Sequence, residues 1–187
     1  SGEIALQNNG TTIATVSSTG IAMASGKTLT GDAISNGKIL QVVQTVKTDT
    51  ASITSSSTNT FVDLTGLTVA ITPSSASSKV LVTVSASVTQ STGMLHMMLV
   101  RDSTNIVVGG SDGNRVSSTI SSRFDSAPYT YNNNATATFS FLDSPNTTSA
   151  TTYKLQGTMY INRTPGDINA SYGSRTTSTI TVMEVAA

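Results

Sequence analysis

The residues of this chain best suited to chemistry are few, and His96 comes first because it is the only histidine. A Ser-His-Asp site would have to use it as the general base. It lies inside Met94 to Asp102, MLHMMLVRD, surrounded by methionines, so packing or a subunit contact is the expected role. The ten acids are scattered singly, several of them in turn-forming stretches. Glycoside cleavage needs two carboxylates within about 5–10 Å of each other, and no local pairing suggests one. A polysaccharide-cleaving site between subunits is the one enzymatic alternative left, and no enzyme is expected. Asp112-Gly113-Asn114 opens like a calcium loop, but the later acidic ligands are missing. The chain has no cysteine, so disulfides and thiolate metal sites are excluded. No metal or cofactor is expected.

Binding is better provided for than catalysis. Tyr129 and Tyr131 precede Asn132 and Asn133 in the stretch SAPYTYNNN, Ser126 to Asn134. Tyrosine offers rigid amphipathic contact area, and asparagine offers paired donors and acceptors, a combination suited to a sugar or a protein epitope. Two further stretches read as exposed loops: Gly109 to Arg115, with Asp112, Asn114 and Arg115, and Thr164 to Arg175, with Tyr172 and Arg175. Those nine side chains are the candidate receptor-binding residues. Five N-x-S/T triplets, at Asn9, Asn134, Asn146, Asn162 and Asn169, are what so much Asn, Ser and Thr produces by chance.

Elements that could position these loops follow from composition and periodicity. Charged residues make up 11% of the 187 residues, with 10 basic and 10 acidic for a net charge of zero. Abundant Thr favours strands, and scarce Glu and Lys argue against long surface helices. The fold class expected is all-β. There is no basic run to hold nucleic acid and no apolar run near the ~20 residues of a membrane helix, so neither partner is expected. Lys79 to Gln90, KVLVTVSASVTQ, alternates with Val80, Val82, Val84, Ala86 and Val88 on one face, as the central strand of an antiparallel sandwich should. Further strands are predicted at Ile39–Lys47 (Leu40, Val42, Gln44 and Val46 on one face), Phe61–Thr72 with a bulge at Gly66, Met94–Asp102, Ile106–Val108, Val116–Phe124, Ala135–Leu142, Thr152–Asn162 and Thr176–Val185. The strand from Met94 is apolar on both faces and should be covered on both, one cover being a neighbouring subunit. Such spacing suggests a sandwich or jelly roll.

Residues 1–37 differ. Gly2, Gly10, Gly20 and Gly31 punctuate short segments carrying Ile4, Leu6, Ile13, Ile21 and Leu29. One short strand per glycine turn resembles the rung of a β-solenoid or an intertwined fibre stem. So little apolar surface cannot stabilise a lone chain, so identical chains are expected to wrap about a shared axis. Asp32 to Gly37 would be the hinge into a head domain spanning 38–187. Ser1-Gly2, without an initiating Met, leads us to expect the C-terminal piece of a longer polypeptide.

Four phrases carry a family resemblance: KILQVVQTVKTDT (Lys38 to Thr50), DLTGLTVAITPSSASSKVLVTV (Asp63 to Val84), FLDSPNTTSATTYKLQ (Phe141 to Gln156) and TSTITVMEV (Thr177 to Val185). In order and spacing they resemble the C-terminal head domain of phage tail-fibre and tail-fibre-like proteins, especially those of marine phages, over about Lys38 to Ala187. The resemblance implies a homotrimeric virion fibre, extracellular, joined to other virion proteins on its N-terminal side and binding a glycan or protein of the host surface. It does not extend over Gly109 to Asn134 or Thr164 to Arg175, so no site residue is carried over from the family. Candidate trimer contacts are Ile4, Leu6, Ile13 and Ile21 in the stem, with Met94, His96 and Met98 in the head. A capsid fibre or decoration protein with a purely structural role, or a bacterial surface adhesin, are the alternatives.

Overall fold

The computed structural model describes residues 3–18, 20–27, 37–52, 60–89, 93–124, 134–157, 160–161 and 175–187. The chain divides into two compact units, 1–38 and 39–187.

In the first unit β1 (Ile4–Asn8), β2 (Thr11–Ser17) and β3 (Gly20–Met23) form an antiparallel meander. The glycine-spaced segments therefore pair with one another inside one chain instead of stacking as rungs. Asn9 and Gly10, at φ 49° and 76°, make the two-residue turn with both central residues left-handed that reverses a chain between twisted strands. Ile4, Val16 and Ile21 stand opposite one another, as do Leu6, Ala14 and Met23. Ile13 falls at a bulge and has no partner on β1. Only Ala14 of these is buried; Ile4 is 64% and Ile21 58% exposed. The hinge expected at Asp32–Asn36, and Leu29 before it, lie outside the described residues.

The second unit is a β-sandwich. One sheet holds β4 (Ile39–Lys47), β5 (Ala51–Ser52), β7 (Lys79–Thr89), β11 (Asn134–Asp143), β13 (Tyr160–Ile161) and β14 (Ser178–Val185). The other holds β6 (Val62–Ile71), β8 (Gly93–Arg101), β9 (Thr104–Ile106), β10 (Ile120–Phe124) and β12 (Thr151–Gly157). Short strands lie end to end: β13 and β14 share one side of β7, β5 continues β4, and β9 and β10 share one side of β8. The antiparallel pairs β4–β14, β6–β12, β7–β11 and β8–β9/β10 are nested in sequence, and successive pairs alternate between the sheets. That is the connectivity of a jelly roll.

Strand β7 occupies the inner position its alternation predicts, between β11 and the β13–β14 row. Val80, Val82, Val84, Ala86 and Val88 point into the core, where Leu64, Leu67, Val69, Leu95, Met97, Leu99, Tyr153, Leu155, Ile180 and Val182 meet them. Across the layers, Arg101 on β8 holds both oxygens of Asp143 at 2.9 and 2.8 Å, and the Tyr153 hydroxyl donates to Asp143 Oδ2 at 2.7 Å. This cluster ties the end of β11 in one sheet to β8 and β12 in the other. Gly66 is a bulge, with φ +86° and a register shift against β12 beside it.

Three strand boundaries differ from the sequence reading. Thr152–Asn162 is not one strand: β12 ends at Gly157 in one sheet, and Tyr160–Ile161 belongs to the other. The hairpin after β8 turns on Asp102 and Ser103 alone, Asp102 adopting φ 53°, so Thr104 and Asn105 already pair with β8. The strand predicted from Val116 begins only at Ile120. On β4 the face with Leu40, Val42, Gln44 and Val46 is the exposed one, because Gln41 and Thr45 turn inward to bond the Thr72 and Thr68 carbonyls of the facing sheet's edge.

Candidate functional site

The sandwich has two unlike ends. At one, Ile39, Lys79 and Val185 stand level, and Asp143 pairs with Val80. The connections there are short and self-bonded. Ser78 N donates to Ser75 O at 3.1 Å, Asp102 N to Thr152 O at 2.7 Å and Ser149 N to Thr147 Oγ1 at 3.0 Å. Ser74 donates through its amide and hydroxyl to Glu184, which also accepts from Gln41. At the other end Ser52, Thr89, Asn134 and Tyr160 terminate strands of one sheet, and Val62, Gly93, Phe124 and Gly157 those of the other. Four connections run between the sheets from this end, and residues 53–59, 90–92, 125–133 and 158–159 in them lie outside the described residues. Tyr129, Tyr131, Asn132 and Asn133 belong to the third of these; Tyr172 lies in 162–174, also outside them.

Asp112, Asn114 and Arg115 sit elsewhere. The segment 107–119 leaves the sandwich between β9 and β10, midway along β8. Its base is anchored by Gly109 N to Ser118 O at 3.2 Å, Thr119 N to Met97 O at 2.9 Å and Leu99 N to Thr119 Oγ1 at 2.9 Å. Its tip is a turn: Arg115 N donates to Asp112 O at 3.1 Å, and the Arg115 guanidinium meets Asp112 Oδ2 at 2.7 Å. Gly113 takes φ +56° to close it. All three candidate side chains are exposed. An exposed pair of this kind contributes well under ~1 kcal/mol, so its guanidinium can exchange Asp112 for an anionic ligand group. Arg175 is exposed just before β14, close enough to Asp49 for its charge to help lower that carboxyl. The structure thus unites Asp112 with Arg115 and leaves Arg175 with a different element.

The candidate trimer contacts of the head are placed differently from expectation. Met94, His96 and Met98 do share the outward face of β8, but they are 39%, 6% and 3% exposed. His96 and Met98 are thus covered within a single chain, and the second cover expected from a neighbouring subunit is already supplied. Burial lowers the His96 pKa, so the ring is neutral at physiological pH, and its Nδ1 has no partner among the described residues.

Of the seven acids among the described residues, six hold structural bonds. Asp143 and Glu184 do so as above, and Asp102 accepts from Thr152 N at 2.9 Å. Lys154 and Gln156 bond Asp63 and lower its pKa. The buried Lys47 ammonium does the same to Asp49. Arg115 holds Asp112. Burial raises the Tyr153 pKa far above its ordinary value, reinforced by the Asp143 carboxylate. Among the described residues no group of three His, Cys, Asp or Glu could hold a metal ion. Sequence reasoning missed the Arg101–Asp143–Tyr153 cluster and the Glu184 nest, because their partners are far apart in the chain. Neither a scan of protein-family models nor a search of curated proteins finds a match.

Proposed function

We propose that the chain is the receptor-binding part of a homotrimeric phage virion fibre, non-enzymatic and extracellular, attached through its N-terminal side to other virion proteins. The observation that carries this reading is the polarity of the sandwich. The chain enters at Ile39, at the end whose connections are short and bonded to themselves, while Phe124 and Asn134, the described residues that flank the stretch carrying Tyr129, Tyr131, Asn132 and Asn133, close strands at the opposite end. A fibre head needs that separation between an attached end and a presenting end. The resemblance of Lys38 to Ala187 to tail-fibre heads supports the same reading. Three copies would multiply weak contacts with a host glycan or protein, provided receptors are spaced to be engaged together. The test is host-cell adsorption by the intact protein and by Tyr129→Ala/Tyr131→Ala, alongside mass in solution. Expected are a trimer and adsorption reduced at least about tenfold, a loss of roughly 1.4 kcal/mol. Unchanged adsorption would move the chain to a structural fibre or decoration role; a stable monomer would overturn the fibre reading.

A further inference from the structure

On the outward face of the first sheet, Val42, Met183, Leu81 and Leu142 stand directly opposite one another on β4, β14, β7 and β11. They make a continuous apolar row across all four strands. Its ends are open to water, Val42 being 57% and Leu142 51% exposed, with Met183 and Leu81 half-buried between them. Leu40 beside Val42 is exposed too. The next row, Gln44, Thr181, Thr83 and Ser140, carries one amide and three hydroxyls, and the row beyond it is Val46, Thr179, Ser85 and Thr138. None of these side chains is charged. Lys79, at the end of the face, donates to Ser144 Oγ at 2.7 Å. A one-sided antiparallel sheet normally turns polar residues to water, and a contiguous apolar patch marks an interaction surface.

We propose that this face is where copies of the chain meet, its occupant being a second copy; the proposal rests on the trimer reading above and locates its interface. Three observations select a second copy. The three rows offer no charge to complement, and Lys79 at the end is engaged by Ser144, so the partner must be largely non-ionic, and a chain that is 11% charged with zero net charge is such a partner. The small N-terminal sheet independently leaves Ile4, Leu6 and Ile21 exposed, a second apolar surface that identical chains could cover for one another. Size also agrees. At ~4.8 Å between strands and ~3.3 Å per residue, a face four strands wide and eight residues long covers about 500 Å². Two such faces pressed together bury about 1,000 Å² in total, the lower bound for a specific interface.

The experiment uses the full chain. Val42→Lys/Leu142→Lys places two charges on positions already in water, so the fold of each copy should survive, as far-UV circular dichroism will report. Light scattering across a dilution series should give a trimer for the native protein and, for the variant, at least a tenfold rise in the concentration at which half dissociates. Because the chain lacks cysteine, Leu142→Cys accepts a single spin label, which should show dipolar coupling between copies. A trimer that tolerates the lysines and shows no coupling at 142 overturns this interface while leaving the trimer standing. A native protein that is monomeric throughout overturns both. Should the lysine variant not fold, the labelled Leu142→Cys protein decides alone.

Discussion

Glu184 is a fully buried carboxylate whose charge is held by hydrogen bonds. Burial alone pushes its pKa up, but donors from Ser74, Gln41 and Ser78 outweigh it and bring the pKa from 4.5 down to about 2. A folded pKa below the unfolded one means that the unfolded chain binds the proton first as pH falls. Stability from Glu184 is therefore complete above about pH 4.5 and drains away as pH approaches 2. Glu184→Gln keeps the shape but turns an amide N–H toward groups that already donate, and should cost about 2 kcal/mol at neutral pH. It should also flatten the acid limb of urea-unfolding free energy over that range; an unaltered limb would mean the nest does not hold the charge. His96 acts at higher pH with the same sign. Its pKa is lowered from 6.5, so its share of stability begins to drain as pH falls through that value. His96→Met, which removes a buried ring nitrogen lacking a partner, should erase that shallower slope.

At the scale of elements, Gly66 joins a legible sequence signal to a measurable cost. A glycine interrupting an alternating run announces a bulge, and here it has φ +86° with the Lys47 ammonium 3.2 Å from where a Cβ would stand. Gly66→Ala should destabilise the protein by about 1–2 kcal/mol through backbone strain, seen as a lowered thermal midpoint without a change in far-UV spectrum. A neutral substitution would show that β6 can abandon the bulge. The alternation that exposed β7 also revealed β4, β6, β8, β11 and β14, since a half-buried strand imprints its two faces on consecutive residues. Periodicity does not say which face is inward: on β4 the inward residues are Gln41, Val43 and Thr45, selected by the carbonyls of Thr68 on β6 and Thr72 just beyond it, 23 and 31 positions away. Nor does it register a change of sheet, so TYKLQGTMYIN reads as one strand although Gly157 and Tyr160 serve different layers. The candidate binding residues were legible only as loop chemistry. The ion pair that closes Asp112 to Arg115 is local and could have been anticipated; the end of the sandwich at which Asn134, just after the Tyr129 stretch, begins its strand depends on pairing with the distant Thr89.

For the whole molecule, the two units differ in what they can do alone. The sandwich buries a continuous core from β6, β7, β8, β12 and β14, closed across its layers by the Arg101–Asp143–Tyr153 cluster. The N-terminal meander buries only Ala14 among its apolar side chains, and three short strands without a packed face fall below the threshold for independent stability. A fragment comprising 39–187 should therefore unfold in one cooperative transition by chemical denaturation, with the antiparallel-sheet spectrum of the full chain. Its refolding should be slow, in the millisecond-to-second range of folds dominated by non-local pairing, because β4 must find β14 across most of the sequence. A peptide of residues 1–38 should be unstructured at low concentration and gain strand signal only as concentration rises, when copies can cover Ile4, Leu6 and Ile21 for one another. A peptide already folded when dilute would show that the meander stabilises itself. Its open face would then be no argument for association, leaving the outward row of Val42 and Leu142 to drive assembly alone.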